Sequence, residues 1–156
     1  MTTAKPVTVL LPVLIQHDWQ IPMTRCAIET LRMTTDAPFT LMVVETESEY
    51  FKDLCDVHIH IPQRSIPVSD TNVGLNACEP GYVVFTGNDV MVRPGWLEAL
   101  LECFDIPDCG AATVMSSDLP LPKYPHILEG VYGPFMMFET HWRLDEKTFP
   151  FFFSDT

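Results

Sequence analysis

Tyr82-Val-Val-Phe-Thr-Gly-Asn-Asp-Val90 sets a short β-rich apolar run directly against the turn-forming tripeptide Gly87-Asn88-Asp89. The run is too short for a helix, and apolar character on both faces suits a strand buried on both sides, as in a parallel sheet. Two runs of the same kind lie upstream, Val7-Thr-Val-Leu-Leu-Pro-Val13 and residues 39–44. Between them, in residues 22–32, the apolar positions Met23, Ala27, Ile28 and Leu31 recur at helical spacing. Pro12 is expected to end the first run. Residues 54–61 read as a third strand with His58 and His60 on one face, followed by a helix over 68–77 with Ser69 or Asp70 as N-cap. Past Asp89, residues 90–92 read as a brief extended piece and Pro94 opens a helix over 95–104, a place where proline is tolerated. Residues 110–115 and 130–139 read as two further strands.

Strands alternating with helices imply an α/β fold, a single domain over 1–156 with a largely parallel sheet covered on both faces. Ligands in such sheets sit beyond the carboxyl ends of the strands. The polar residues predicted there are Gln16 and Asp18 after the first strand, Glu45 after the second, Gln63 and Arg64 after the third, and Asn88 and Asp89 after the fourth. The chain has no internal repeat and no low-complexity tract, and prolines at 120, 122 and 125 mark a stiff loop before the last third.

Composition narrows the function. Among 156 residues, 9 basic side chains face 21 acidic ones, a formal net charge of −12, while 47% apolar residues supply a sizeable core. Nucleic-acid binding needs a basic stripe to neutralise phosphates, and the Lys and Arg here are scattered. An anionic small ligand remains compatible if a divalent cation reverses the local field. The five cysteines, Cys26, Cys55, Cys78, Cys103 and Cys109, form no CxxC pair and read as reduced core thiols of a cytoplasmic protein. Pro12 interrupts the apolar run at 7–15, and Gln16-His17-Asp18 follow where a signal peptide would need small residues. No stretch is long and apolar enough to span a membrane.

Asp89, at the tip of a buried strand and next to a glycine that admits close backbone approach, has two readings. It is a ligand for a divalent metal on a diphosphate, or an Asn-Asp turn that bonds its own backbone. His58 and His60 have no third ligand nearby and read as satisfied strand residues. Trp96, with Leu97, Leu100 and Leu101 at helical spacing, reads as core-facing, and Met136-Met137 as core filler. Trp19 and Trp142 fall in loop or short-helix regions, and Ser116-Ser117-Asp118 lacks the context of a hydrolase nucleophile.

Six pieces, taken together, resemble family 2 glycosyltransferases in order and spacing. They are Val7-Thr-Val-Leu-Leu-Pro-Val13, Val43-Val-Glu-Thr-Glu-Ser48, Asn72-Val-Gly74, Gly81-Tyr-Val-Val-Phe-Thr-Gly-Asn-Asp-Val90, Pro94-Gly-Trp-Leu97 and Phe151-Phe-Phe-Ser-Asp-Thr156. The resemblance implies a GT-A fold that moves a sugar from a UDP- or GDP-linked donor to an acceptor hydroxyl with inversion, assisted by Mn2+ or Mg2+. It implies donor-binding roles for Pro12, Glu45, Asp70, Asn72 and Asn88, metal binding by Asp89, and the general base in Asp155. Helix capping is the competing account of Asp70. Gly87 stands where the first acid of the family's DxD motif would be, so a second expectation is an inactive GT-A module that binds or assembles. A nucleotidyltransferase shares the α/β plan but needs a glycine-rich basic phosphate loop, which Val13-Leu-Ile-Gln-His-Asp18 is not. The chain stops one residue after Asp155, whereas the family continues into a helix. The expectation is therefore a domain lacking its C-terminal helical part, its edge completed by a partner chain or by a second copy in a homo-oligomer.

Overall fold

The computed structural model describes residues 5–64 and 67–113, and the backbone of 135–139. The elements run β1 (Val7–Leu14), α1 (Gln20–Thr34), β2 (Thr40–Thr46), β3 (Val57–Ile61), α2 (Pro67–Ala77), β4 (Tyr82–Thr86), α3 (Trp96–Cys103), β5 (Ala111–Thr113) and β6 (Phe135–Glu139). One sheet holds the strands in the order β3-β2-β1-β4-β6-β5. The β1–β2, β2–β3 and β1–β4 pairs are parallel, and β6 lies antiparallel to both β4 and β5.

Alternation along the strands sorts the core onto two faces. Val7, Val9, Leu11 and Val13 of β1 join Leu41 and Val43 of β2, under α1 through Ile28 and Leu31 and under α3 through Trp96, Leu97 and Leu100. Leu10, Met42, Val44 and Val83 point the other way and meet Leu75 of α2. Helix α2 approaches closely because residue 74 is glycine: a Cβ there would stand 2.4 Å from Leu10 Cδ1 and 2.9 Å from Val44 Cγ2. Helix α1 buries Thr24, Ala27, Ile28 and Leu31, one helical stripe.

Four expectations are corrected. Pro12 does not end β1 but lies within it, opposite Val44. The β1–β4 ladder stops at Leu10↔Phe85, and among the described residues no strand pairs with that side of β1 further on, where a proline costs no ladder bond. The third strand starts at Val57, because Lys52–Leu54 form a 3-10 turn. Ser69 and Asp70 lie inside the first turn of α2, which opens at Pro67, and do not precede the helix. Residues 90–92 are not a strand.

The cysteines also depart from expectation. No disulfide joins them, but Cys26 is exposed and the other four are half-buried. Trp96 is core-facing as expected, 7% exposed, while Trp19 is 61% exposed. No helix among the described residues is long and apolar enough to cross a membrane.

Candidate functional site

The strand order reverses at β1: β2 and β3 lie on one side of it, β4 on the other. In open α/β sheets the crevice at such a reversal, beyond the carboxyl ends of the strands, is where ligands bind. Pro12, two residues before the carboxyl end of β1, and the turn Gly87-Asn88-Asp89, after β4, flank this reversal.

The turn closes with Val90 N–H on the Gly87 carbonyl at 3.4 Å. Asp89 is exposed, and its Oδ1 lies 2.8 Å from where a Cβ on Gly87 would sit. The carboxylate therefore folds back over residue 87, into space that a side chain at that position would contest. Asn88 is half-buried and donates its Nδ2 amide to Thr24 Oγ1 of α1 at 3.0 Å.

Glu45 and Asp70 occupy opposite faces of the sheet's carboxyl edge. Glu45 is 0% exposed and is no solvated loop acid. Its Oε1 accepts the Ser48 hydroxyl at 2.7 Å and the Tyr50 N–H at 2.6 Å, and its Oε2 accepts the Phe51 N–H at 3.1 Å and meets His58 Nε2 at 3.0 Å. A carboxylate has about four acceptor positions, and all are engaged within the protein, shaping residues 47–51 around the side chain. That loop begins with Glu47 in the left-handed region at φ 64°, a conformation that concentrates at functional loops, and its N–H bonds the Ile61 carbonyl at 2.9 Å. His58 is thus a satisfied strand residue, and His60 Nδ1 stands 4.0 Å from Glu49 Oε1.

On the α2 face, Asp70 is 6% exposed and accepts the Thr46 hydroxyl at 2.8 Å, tying the end of β2 to the first turn of α2. Asn72 lies half-buried two residues further on. Gln16, Asp18, Gln63 and Arg64 are exposed at the same edge. Asp155, Trp142, Ser116-Ser117-Asp118 and the prolines at 120, 122 and 125 lie outside the described residues, as do the side chains of Met136 and Met137.

Sequence reasoning missed the hydroxyls of α1. Thr24 is 0% exposed and holds Asn88, yet a threonine in a helix reads as a tolerated polar residue. The available signal was its register: it occupies the stripe of Ala27, Ile28 and Leu31, where a hydroxyl needs a partner.

Among the described residues no group of three or more His, Cys, Asp and Glu is placed to hold a metal. Asp89 and the Asn88 amide supply oxygen donors, which suit a hard cation such as Mg2+ or Mn2+. Such ions are bound through one or two carboxylates with phosphates and water completing the shell. The donor set fits a cation completed by its diphosphate ligand and does not form a closed protein site.

No protein-family model matches the chain. Over 54 residues it is 43% identical to the pre-mycofactocin glycosyltransferase of Mycobacterium tuberculosis (strain CDC 1551 / Oshkosh), a stretch that is 34% of this chain and 12% of that protein. Mannosyltransferase PcManGT from Pyrobaculum calidifontis, solved in complex with GDP-Man and Mn2+, superposes with a TM-score of 0.71 at 16% identity, over 88% of this chain and 45% of that one. Glucosyl-3-phosphoglycerate synthase from Mycobacterium tuberculosis, in complex with Mn2+, UDP-Glc and glycerol 3-phosphate, gives a TM-score of 0.65 at 13% identity, over 88% of this chain and 57% of that one. S. aureus TarS 1-349 gives 0.64 at 14% identity, over 86% and 47%. The chain spans 12% of the pre-mycofactocin glycosyltransferase and between 45% and 57% of the three solved chains. Its fold is the GT-A glycosyltransferase fold that the resemblance implied.

Proposed function

We propose that the chain is the donor-binding part of a metal-assisted glycosyltransferase, moving a sugar from a nucleotide diphosphate to an acceptor hydroxyl with inversion. The observation that carries this reading is the turn Gly87-Asn88-Asp89, which puts one exposed carboxylate and one oriented amide beside the β1–β4 reversal of a GT-A sheet. Solved structures of similar fold contain GDP-Man or UDP-Glc with Mn2+.

In this reading Asp89 holds the cation with help from Asn88. The bound ion would offset the diphosphate charge and stabilise it as leaving group. Pro12, Asp70 and Asn72 border the donor pocket, with Asp70 locked in place by Thr46. Glu45 serves the nucleoside side, and its engaged oxygens make the loop it shapes, residues 47–51, the surface through which it acts. Asp155 is the general base that takes the acceptor proton as the hydroxyl oxygen attacks the anomeric carbon.

Gly87 favours a second reading, a GT-A module that binds or assembles without catalysis, since it removes one motif carboxylate. Incubation with UDP-Glc and GDP-Man in Mn2+ separates the two. Donor hydrolysis or transfer that disappears in Asp89→Ala supports the transferase. Donor binding with no turnover supports the module.

A further inference from the structure

We infer that Thr24 is a positioning residue for the Asn88-Asp89 turn, acting through the side-chain amide of Asn88; the inference rests on the donor-site reading above. Three hydroxyls of α1 face the segment that follows β4. Thr24 Oγ1 accepts the Asn88 amide at 3.0 Å, Thr30 Oγ1 accepts the Val92 N–H at 3.4 Å, and Thr35 Oγ1, at the helix C-cap, accepts the Trp96 indole N–H at 2.6 Å. Residues 88, 92 and 96 are thus tied at every fourth position to one helix, across a stretch with no strand or helix of its own before α3.

Thr24 differs from the other two. It has no exposed surface and sits on the apolar stripe of α1, where an alkyl side chain would pack as well. Its bond goes to the side chain of residue 88, while Thr30 and Thr35 already hold the segment further along. What the Thr24 hydroxyl adds is the orientation of an amide. With one Nδ2 hydrogen on Thr24 Oγ1, the amide oxygen Oδ1 is the acceptor that Asn88 can offer a ligand. Oxygen is the atom a hard cation takes, and Asn88 is the neighbour of the one carboxylate that remains once residue 87 is glycine. Thr24 therefore holds the Asn88 amide in the orientation that leaves Oδ1 to the cation.

Calorimetric titration with UDP and with GDP, each with and without Mn2+, tests this on the wild type, Thr24→Val and Thr24→Ser. Partners that orient metal ligands are worth about tenfold or more in metal affinity. Thr24→Val should lose about that factor of the Mn2+-dependent gain in nucleotide affinity, with metal-free affinity unchanged, and Thr24→Ser should restore it. In 15N-labelled protein without ligand, the side-chain amide pair missing from Asn88→Asp identifies Asn88, and its slow proton exchange should be lost in Thr24→Val. If Thr24→Val does not fold, Asn88→Ala must show the same selective loss. A Thr24→Val protein that keeps the Mn2+-dependent gain, or that weakens equally with and without Mn2+, overturns the inference and leaves the donor-site reading standing. A wild type that binds neither nucleotide with Mn2+ overturns both.

Discussion

Glu45 is a carboxylate with no exposed surface, tolerable because each oxygen accepts two hydrogen bonds. Removing a buried acceptor leaves its donors unsatisfied, which costs far more than the net worth of the bonds. Glu45→Ala should therefore destabilise the fold by about 3 kcal/mol or more in urea titration, and proteolysis should cut within residues 47–51 first. Glu45→Gln should fall between, since its amide must turn one donor toward other donors. A second residue makes a chemical prediction. Burial pushes the Cys55 thiol up, a backbone bond near Val43 opposing and the Asp56 charge reinforcing that shift. At any pH below its raised value the thiolate fraction is smaller than in an ordinary thiol, so alkylation of Cys55 should lag that of the exposed Cys26 and catch up only as pH rises. Peptide mapping after timed iodoacetamide treatment checks the order. At this scale the sequence located the acids but not their partners: Glu45 and Asp89 stand at strand ends that periodicity finds, whereas Thr24 and His58 acquire their roles from chain neighbours 64 and 13 residues away.

Helix α2 is seated by what residue 74 lacks. Gly74→Ala would press a methyl into Leu10 and Val44, and overpacking of this kind costs about 1–3 kcal/mol. Gly81→Ala should cost more, because its Cβ would meet the Pro6 carbonyl oxygen at 2.3 Å, and backbone yields less readily than a leucine methyl. That carbonyl also accepts the Tyr82 N–H at 2.8 Å, beside the first β1–β4 pair. Thermal unfolding of the two variants should rank them in that order. Elements buried on both faces, β1, β2 and β4, were legible as apolar runs, and α1 as a stripe. Pro12 was misread as a stop because the penalty of a proline in a strand depends on whether a neighbour needs its N–H, and the pairing of β1 with β4 ends at Leu10. The antiparallel placement of β6 between β4 and β5 was not legible, since strand direction is set by the path of the intervening chain and not by the composition of residues 135–139.

The whole molecule carries a formal net charge of −12 and would repel a diphosphate. Donor binding would therefore require a cation at the edge where the sheet order reverses and where Asp89 is exposed. The charge balance and the Asp89 turn were both legible from composition and order, while the position of the reversal needed the strand pairing. The most direct test is thermal unfolding with UDP and with GDP, each with and without Mn2+. At a hundred times the dissociation constant, binding adds about 2.7 kcal/mol, about 5 °C or more for a domain of this size. The account predicts a rise of that order with one nucleotide, dependent on Mn2+ and absent in Asp89→Ala. Folded protein whose transition does not move with either nucleotide in Mn2+ would contradict it.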